Sequence, residues 1–337
     1  MWKKFLLSIG VLIIVVLSGG YVFLNQPDIP RAVLEAKYAT PPSQFVDLVY
    51  RSTLTTAGNA SNVPFTYPNR TARAHYRIHG PKDASVILLL HGSNSSLFDW
   101  EPWSKYLSDN YRVVTVDLPG HGLTGATLNG DYSEQGMTIF VKAFADKLGL
   151  THFAIGGNSM GGGVAARFAE EYPDRTTHLI LVDAGGMQTS FGDHLPLAFR
   201  LARTPVLNRL LLHITPRSLV VEGLNAAVVR KSALTDAMID QYWDFARMAG
   251  TRQATLTRFQ LTPDTYVRDH IAAIKAPTLI LWGSDDHLIP VAAAHIWAKA
   301  IKGSKLVIYP ATGHLPMEEM APESAAEVRA FLGTPAR

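Results

Sequence analysis

The stretch IGGNSMGGGVAARFAEEYPD, residues 155–174, decides the fold. Ser159 stands between Gly157 and Gly161, after a short apolar run and before a segment whose apolar residues recur at helical spacing. Strand, tight turn, helix is the setting in which a G-x-S-x-G sequence lifts a serine hydroxyl clear of the end of a sheet. A turn that sharp leaves no room for side chains two residues either side of the serine, so both glycines are needed sterically. The helix that begins just after Ser159 aims its first amides at the same point, which favours developing negative charge there. The competing reading, a polar residue in a glycine-rich turn, has to be weighed against the rest of the chain.

Working outward, apolar runs recur on both sides of the motif. ARAHYRIHG (72–80) alternates like a strand, and VILLLHG (86–92) and YRVVTVDLPG (111–120) end in glycine turns. HFAIGG (152–157) leads into the motif, and HLILVDAGG (178–186), PTLILWG (277–283) and KLVIYP (305–310) follow it. Segments of helical period, such as MTIFVKAFADKLG and GVAARFAEEYP, separate these runs. β-rich runs divided by helices predict an α/β fold with a mostly parallel sheet, covered by helices on both faces. The rhythm breaks between about Met187 and His270, where LPLAFRLARTPVLNRLLLHI and TDAMIDQYWDFARMAG read as helices and no strand is evident. An insertion of this kind is expected to form a helical cap over the carboxyl ends of the strands, where ligands bind in such sheets. The domain reading is therefore 71–186 and 271–337 as the core and 187–270 as the cap.

Two further stretches place chemistry at the same edge. LLLHGSN ends one apolar run, and its His91-Gly92 pair is suited to turn a backbone amide, that of Ser93, towards the serine. With the amide of Met160 it makes a two-donor oxyanion hole. LILWGSDDHLIP sets Asp286 in a loop just past a strand, and YPATGHLPMEE sets His314 past the last one, in the order Ser, Asp, His.

On HGSN, DLPGHGLTG, GNSMGGG, WGSDDHLIP and GHLPMEE, residues 72 to about 334 resemble the α/β-hydrolase family. The resemblance implies an eight-stranded sheet with a helical cap inserted after the sixth strand. It implies Ser159 as nucleophile, Asp286 as acid and His314 as base. In capped members the acid usually stands four residues before a proline; with Pro290 here, that favours Asp286 and leaves Asp285 as the alternative. A serine nucleophile sets the chain apart from relatives that use aspartate there, the dehalogenases and epoxide hydrolases. GNSMGG also resembles the elbow of hydrolases that cleave carbon–carbon bonds in ring-fission products. Those relatives tend to carry a tryptophan after the histidine and a Gly-Pro-Gly oxyanion loop, where this chain has GHLP and HGSNSS. The resemblance thus points to a carboxylesterase- or lipase-like serine hydrolase acting on a small-molecule ester, with no cofactor. The alternatives are a carbon–carbon hydrolase of diketo acids and a non-catalytic binding module. The diketo acid is an anion and would call for a cap arginine, for which Arg200, Arg203 and Arg247 are the candidates.

Composition narrows the class. With 31 basic and 28 acidic residues in 337, and no basic block, nothing points to nucleic acid. The chain has no cysteine, which excludes disulfides and thiolate chemistry and leaves the compartment open. At the N-terminus, Lys3 and Lys4 precede an uncharged, mostly apolar run from Phe5 to Leu24. As a helix it would extend about 30 Å, roughly one bilayer core. Residues 1–25 are therefore expected to be an inner-membrane anchor, with the catalytic domain outside the cytoplasm, or else a secretory signal cleaved near Ser18 and Gly20. Residues 26–70, rich in Pro, Asn, Thr and Ser, read as a linker with at most a short helix and one strand, spacing the domain from the membrane.

Other chemistry-bearing residues have plainer readings. His121 is expected in a turn, Asp117 as a structural loop acid, and His91 as a residue that shapes the oxyanion loop. Asp285, Asp286 and His287 are adjacent and point in different directions, so no metal site is expected. Trp100 and Trp103 in FDWEPW are candidates for the mouth of the substrate pocket, with core packing as the alternative. The apolar cap segment Leu195–Ile214 is read as covering the sheet, with lipid contact as its alternative.

Overall fold

The structure is a computed structural model that describes residues 2, 24–50, 70–127, 130–187, 196–204, 207–261 and 265–333. Its sheet strands are β1 (Ser43–Tyr50), β2 (Arg70–His79), β3 (Val86–Leu90), β4 (Arg112–Val116), β5 (Phe153–Asn158), β6 (Thr176–Val182), β7 (Thr278–Gly283) and β8 (Lys305–Tyr309). They form one eight-stranded sheet in the order β1-β2-β4-β3-β5-β6-β7-β8. Only β1 on β2 and β2 on β4 are antiparallel; every later pairing is parallel.

The continuous apolar runs are explained by burial on both faces. Side chains alternate across a strand, and along β3 Leu88 and Leu90 enter one core layer while Ile87 and Leu89 enter the other. The first layer lies under helices α3 (Glu134–Lys147), α4 (Met160–Glu171) and α10 (Ala292–Ala300), which contribute Phe140, Phe144, Val164, Phe168 and Trp297. The second lies under α2 (Glu101–Leu107), the short α11 (Pro316–Glu319) and α12 (Ala321–Leu332). Ser133 caps α3 by accepting from the Gly136 amide, which is why that helix starts after it.

Trp100 and Trp103 belong to this second layer, which corrects the expectation that they line the pocket. Both are fully buried, and Trp103 Nε1 donates to Ser324 Oγ at 2.8 Å. Spaced by three residues, they lie on one face of the same helical stretch, and that face meets the sheet and α12.

Of the expected linker, residues 51–69 lie outside the described residues, and residues 26–50 carry the expected short helix and one strand but do not act as a spacer. The helix α1 (Arg31–Tyr38) and strand β1 pack on the domain. Leu34 joins Leu123, Phe245 and Met248 in a third small core, and Ile29 pairs with Met248. The apolar run from Phe5 lies outside the described residues except for Leu24. Among the described residues no helix is long and apolar enough to cross a membrane.

Between β6 and β7 the described residues form the helices α5 (Leu197–Arg203), α6 (Arg217–Ala227), α7 (Asp236–Ala246), α8 (Thr251–Gln260) and α9 (Tyr266–His270), with 3₁₀ turns at Leu207–Leu212 and Lys231–Ala233. This is the inserted cap. Its α6 terminus reaches the core directly, because the His314 amide donates to the Ala227 carbonyl at 2.7 Å.

Candidate active site

Ser159 sits between β5 and α4 with φ 53° and ψ −120°, a conformation that L-residues adopt only under constraint. The neighbouring glycines supply that constraint. A Cβ on Gly157 would stand 2.2 Å from the Gly161 carbonyl oxygen, and one on Gly161 would stand 2.3 Å from that of Leu90. Both clashes are with backbone, which cannot swing away. Gly161→Ala is therefore expected to cost at least about 4 kcal/mol of stability. Gly223→Ala, inside α6 with nothing within 4 Å of its Cβ, is expected to be neutral or stabilising by up to about 1 kcal/mol. Urea denaturation of the two variants side by side tests the pair.

The three carboxyl-end loops converge. Asp286 Oδ2 accepts from His314 Nδ1 at 2.7 Å, and Asp286 Oδ1 accepts the amides of Leu288 at 2.7 Å and Ile289 at 3.0 Å. With Nδ1 donating, Nε2 is left bare and can act as a base. Asp285 is exposed and bonded to Ser284 Oγ, so the imidazole's partner is Asp286. The serine is joined to this pair through its neighbour: Asn158 Nδ2 donates to the His314 carbonyl at 3.0 Å. Ser159 Oγ itself makes no hydrogen bond among the described residues, as is common before substrate tightens a site.

The expected oxyanion loop lies against the elbow. A Cβ on Gly92 would approach Ser159 Cβ to 3.3 Å, so the segment carrying Ser93 touches the serine. His91 holds that loop: its Nδ1 donates to the Gly92 carbonyl at 2.7 Å, and Nε2 accepts the Leu118 amide at 2.9 Å. Burial keeps the ring neutral, below the usual histidine value. His121 is likewise buried with its pKa well lowered, bonded to the Pro119 carbonyl in its turn. Asp117 accepts the amides of Leu97 and Leu123, each at 2.7 Å, and His75 Nδ1 at 2.6 Å, tying loops below the site together. The Met160 amide is the first of α4 and has no intrahelical acceptor.

Four groups at the site escape sequence reasoning. Asp183, at the end of β6 with φ 43°, is fully buried, accepts the Gly283 amide at 3.0 Å through Oδ1, and leaves Oδ2 unpartnered. One ligand atom each of Asp183, Asp286 and His314 lies within 4.8 Å of the others. Burial, and then the Asp286 charge, push the Asp183 carboxyl well above the usual range. Glu319 accepts the amides of Gly313 at 2.8 Å, Val229 at 2.9 Å and Arg230 at 2.7 Å, fastening the histidine loop to the end of α6. Arg258, on α8, donates to Asn94 Oδ1 at 3.1 Å, beside Ser93, and has no acidic partner among the described residues; burial lowers its pKa to about 10. The fourth is Asp99, which accepts from Ser95 Oγ and, at 2.7 Å, from the hydroxyl of Tyr242 on α7. A lone carboxylate in VDAGG or LFDW has no local signal; the cue is a buried acid that the fold carries beside the histidine.

Asp99 is pushed up to about 6, first by burial, with Ser95 and Tyr242 opposing the rise. A raised folded value means that the native state holds the proton more tightly than the unfolded chain. Stability is then fully present below the unfolded value and is lost as pH climbs from about 4 to about 6. Asp99→Asn is expected to remove that loss, making the protein more stable above pH 7 by about 2–3 kcal/mol. Urea midpoints at about pH 4.5 and pH 7.5 would measure it; an equal gain at both would refute the titration.

Comparisons with known proteins agree with this architecture. The chain is 25% identical, over 80% of its length and 95% of the relative's, to the 2-hydroxy-6-oxo-6-phenylhexa-2,4-dienoate hydrolase of Burkholderia cepacia. Among solved structures it is similar to a bacterial membrane phospholipase A, with TM-score 0.67, 24% identity and 98% of both chains covered. It is similar also to an esterase of Thermogutta terrifontis, with TM-score 0.67, 24% identity, and 86% of this chain and 98% of that one covered. The model of the α/β hydrolase fold matches residues 85–321, from the strand before the oxyanion loop to past His314. With strained serine, paired histidine and inserted cap standing where that match runs, the chain belongs to the α/β-hydrolase fold family.

Proposed function

We propose that this α/β-hydrolase cleaves carboxylic esters of small to medium hydrophobic substrates through an acyl-enzyme. The observation that carries the reading is the convergence of an elbow serine with a histidine held by a buried carboxylate at 2.7 Å. His314 Nε2 takes the proton of Ser159 Oγ as the oxygen attacks the carbonyl carbon. The amides of Met160 and Ser93 receive the oxyanion, and Asp286 stabilises the imidazolium. His314 then returns the proton to the leaving alcohol, and water repeats the sequence to free the acid. The acids near the histidine favour an uncharged ester: Asp99 is buried and its pKa raised by burial, and burial and the Asp99 charge push the half-buried Glu318 well above the usual range.

We further propose that the run Phe5–Leu24 anchors the chain in a membrane with the catalytic domain outside the cytoplasm. The lysines that precede the run support this, as does likeness over 98% of both chains to a phospholipase described as a membrane protein.

A second reading is favoured by one observation. Arg258, a cation without an acidic partner among the described residues, stands on the oxyanion loop and would suit an anionic substrate. The Burkholderia relative is named as a hydrolase of one such anion, 2-hydroxy-6-oxo-6-phenylhexa-2,4-dienoate. The earlier candidates fit less well: Arg200 and Arg203 are exposed, and Arg247 is paired with Asp244 at 3.0 Å. Assaying p-nitrophenyl esters from acetate to palmitate beside a meta-cleavage diketo acid separates the readings. Ester turnover with no loss of the dienoate chromophore supports the esterase, and the reverse supports the carbon–carbon hydrolase.

A further inference from the structure

The segment that follows the apolar run is fastened to the cap. The Gln26 amide donates to the His213 carbonyl at 2.8 Å, the Ile29 amide donates to the Arg247 carbonyl at 2.8 Å, and the Ala249 amide donates back to Ile29 at 3.0 Å. Arg252 Nη2 lies 2.6 Å from both the Gln26 carbonyl and Asp28 Oδ1. A chain reaches at most about 3.6 Å per residue. Leu24, the last residue of the run, is therefore within about 7 Å of the Gln26 contact with the cap. No spacer separates the two.

The cap surface at that point is suited to lipid. Leu24, Leu197, Leu210 and Leu261 are 39–48% exposed. Leu210 belongs to the turn that ends beside His213. Leu197 opens α5 and Leu261 follows α8, and those helices are joined by an edge-to-face contact of Phe199 with Phe259 at 5.1 Å. Arg200, Arg203 and Arg209 are exposed among these leucines, and no acidic residue occurs in the sequence from Pro196 to Val221. Glu222, just past that stretch, accepts from the Leu197 amide at 3.3 Å, at the start of α5. Isolated exposed leucines are ordinary on protein surfaces; leucines interleaved with arginines around the exit of an apolar run are the pattern of an interfacial surface.

We infer that this cap face, Leu24, Leu197, Leu210 and Leu261 with Arg200, Arg203 and Arg209, docks on an anionic lipid bilayer. The inference rests on the reading that Phe5–Leu24 enters a membrane. Docking sets the cap, which covers the catalytic edge of the sheet, against the lipid. It deepens the functional reading by making esters held at the bilayer surface the substrate class.

The chain has no cysteine, which allows single probes in the full-length protein. Leu12→Cys, Leu210→Cys, Leu261→Cys and Ile308→Cys, the last on β8, are each labelled with an environment-sensitive dye and reconstituted in phosphatidylethanolamine–phosphatidylglycerol vesicles. Brominated acyl chains in the vesicles report lipid contact, and aqueous iodide reports exposure. The expected result is at least about twofold quenching by bromolipid at positions 12, 210 and 261, none at 308, and weaker quenching at 210 and 261 in pure phosphatidylcholine. Quenching at 12 with positions 210 and 261 as open to iodide as 308 overturns the docking and leaves the anchor standing. Positions 210 and 261 shielded from iodide yet unreached by bromolipid overturn it in favour of a protein partner. No quenching at position 12 removes the membrane reading and the inference together.

Discussion

Ser159→Ala is expected to lower kcat/KM on the best p-nitrophenyl ester by roughly 10⁴- to 10⁶-fold while leaving the urea midpoint close to wild type. The size follows from what the hydroxyl supplies. Without Oγ no acyl-enzyme forms, and only binding and the oxyanion amides remain, which are together worth roughly 10³- to 10⁴-fold over water in enzymes of this type. The fold should tolerate the change, because the strain at φ 53° is imposed by the backbone around Gly157 and Gly161 and the serine side chain makes no hydrogen bond to lose. Alanine in that conformation costs no more than serine. An alanine variant that keeps a tenth or more of the wild-type turnover would show that the hydrolysis runs elsewhere. A phosphonate probe that labels wild type and not the variant would give the same answer without a substrate.

The sequence and the structure agree best where chemistry and burial are local. The runs around Leu88, Leu179 and Leu279 read as strands because the sheet buries both of their faces, which leaves a continuous apolar signal. Ser159, Asp286 and His314 each stand in a short stretch that carries its own turn residues, so each was visible alone, and the fold had only to bring the stretches to one edge. The edge strand Ser43–Tyr50 was faint because it lies in a Pro- and Thr-rich region and buries only part of one face. That its segment docks on Met248 and Arg252 depends on a cap more than 200 positions away, which no window of sequence contains. The same holds for Asp183, Tyr242 and Arg258, whose surroundings come from distant elements. FDWEPW is ambiguous for a different reason: two tryptophans at helical spacing mark a buried face, and the spacing does not say whether that face meets a substrate or the sheet.

Asp286→Asn is the second large effect, expected at roughly 10⁴-fold in kcat with little change in KM. The geometry dictates how the amide would sit. The amides of Leu288 and Ile289 hold one oxygen at 2.7 and 3.0 Å, and they will keep the asparagine carbonyl in that place. The NH₂ group is then directed at His314 Nδ1, donor against donor, and the imidazole must turn its lone pair to Nδ1 and its proton to Nε2. In that tautomer it cannot accept the proton of Ser159. Asp183 bears on how deep the loss goes. It is a second, fully buried carboxyl of the same cluster, and burial and then the Asp286 charge push its pKa well above the usual range. With Asp286 neutral, the repulsion that contributes to that rise is gone, and Asp183 can ionise beside the imidazole. Adding Asp183→Asn to Asp286→Asn should therefore remove a further fraction of the residual rate, whereas Asp183→Asn alone leaves the Asp286–His314 hydrogen bond in place and should stay within roughly tenfold of wild type. Single and double variants assayed at the same pH give the coupling. If Asp183→Asn alone is as damaging as Asp286→Asn, the charge is shared between the two carboxyls and Asp183 is no bystander.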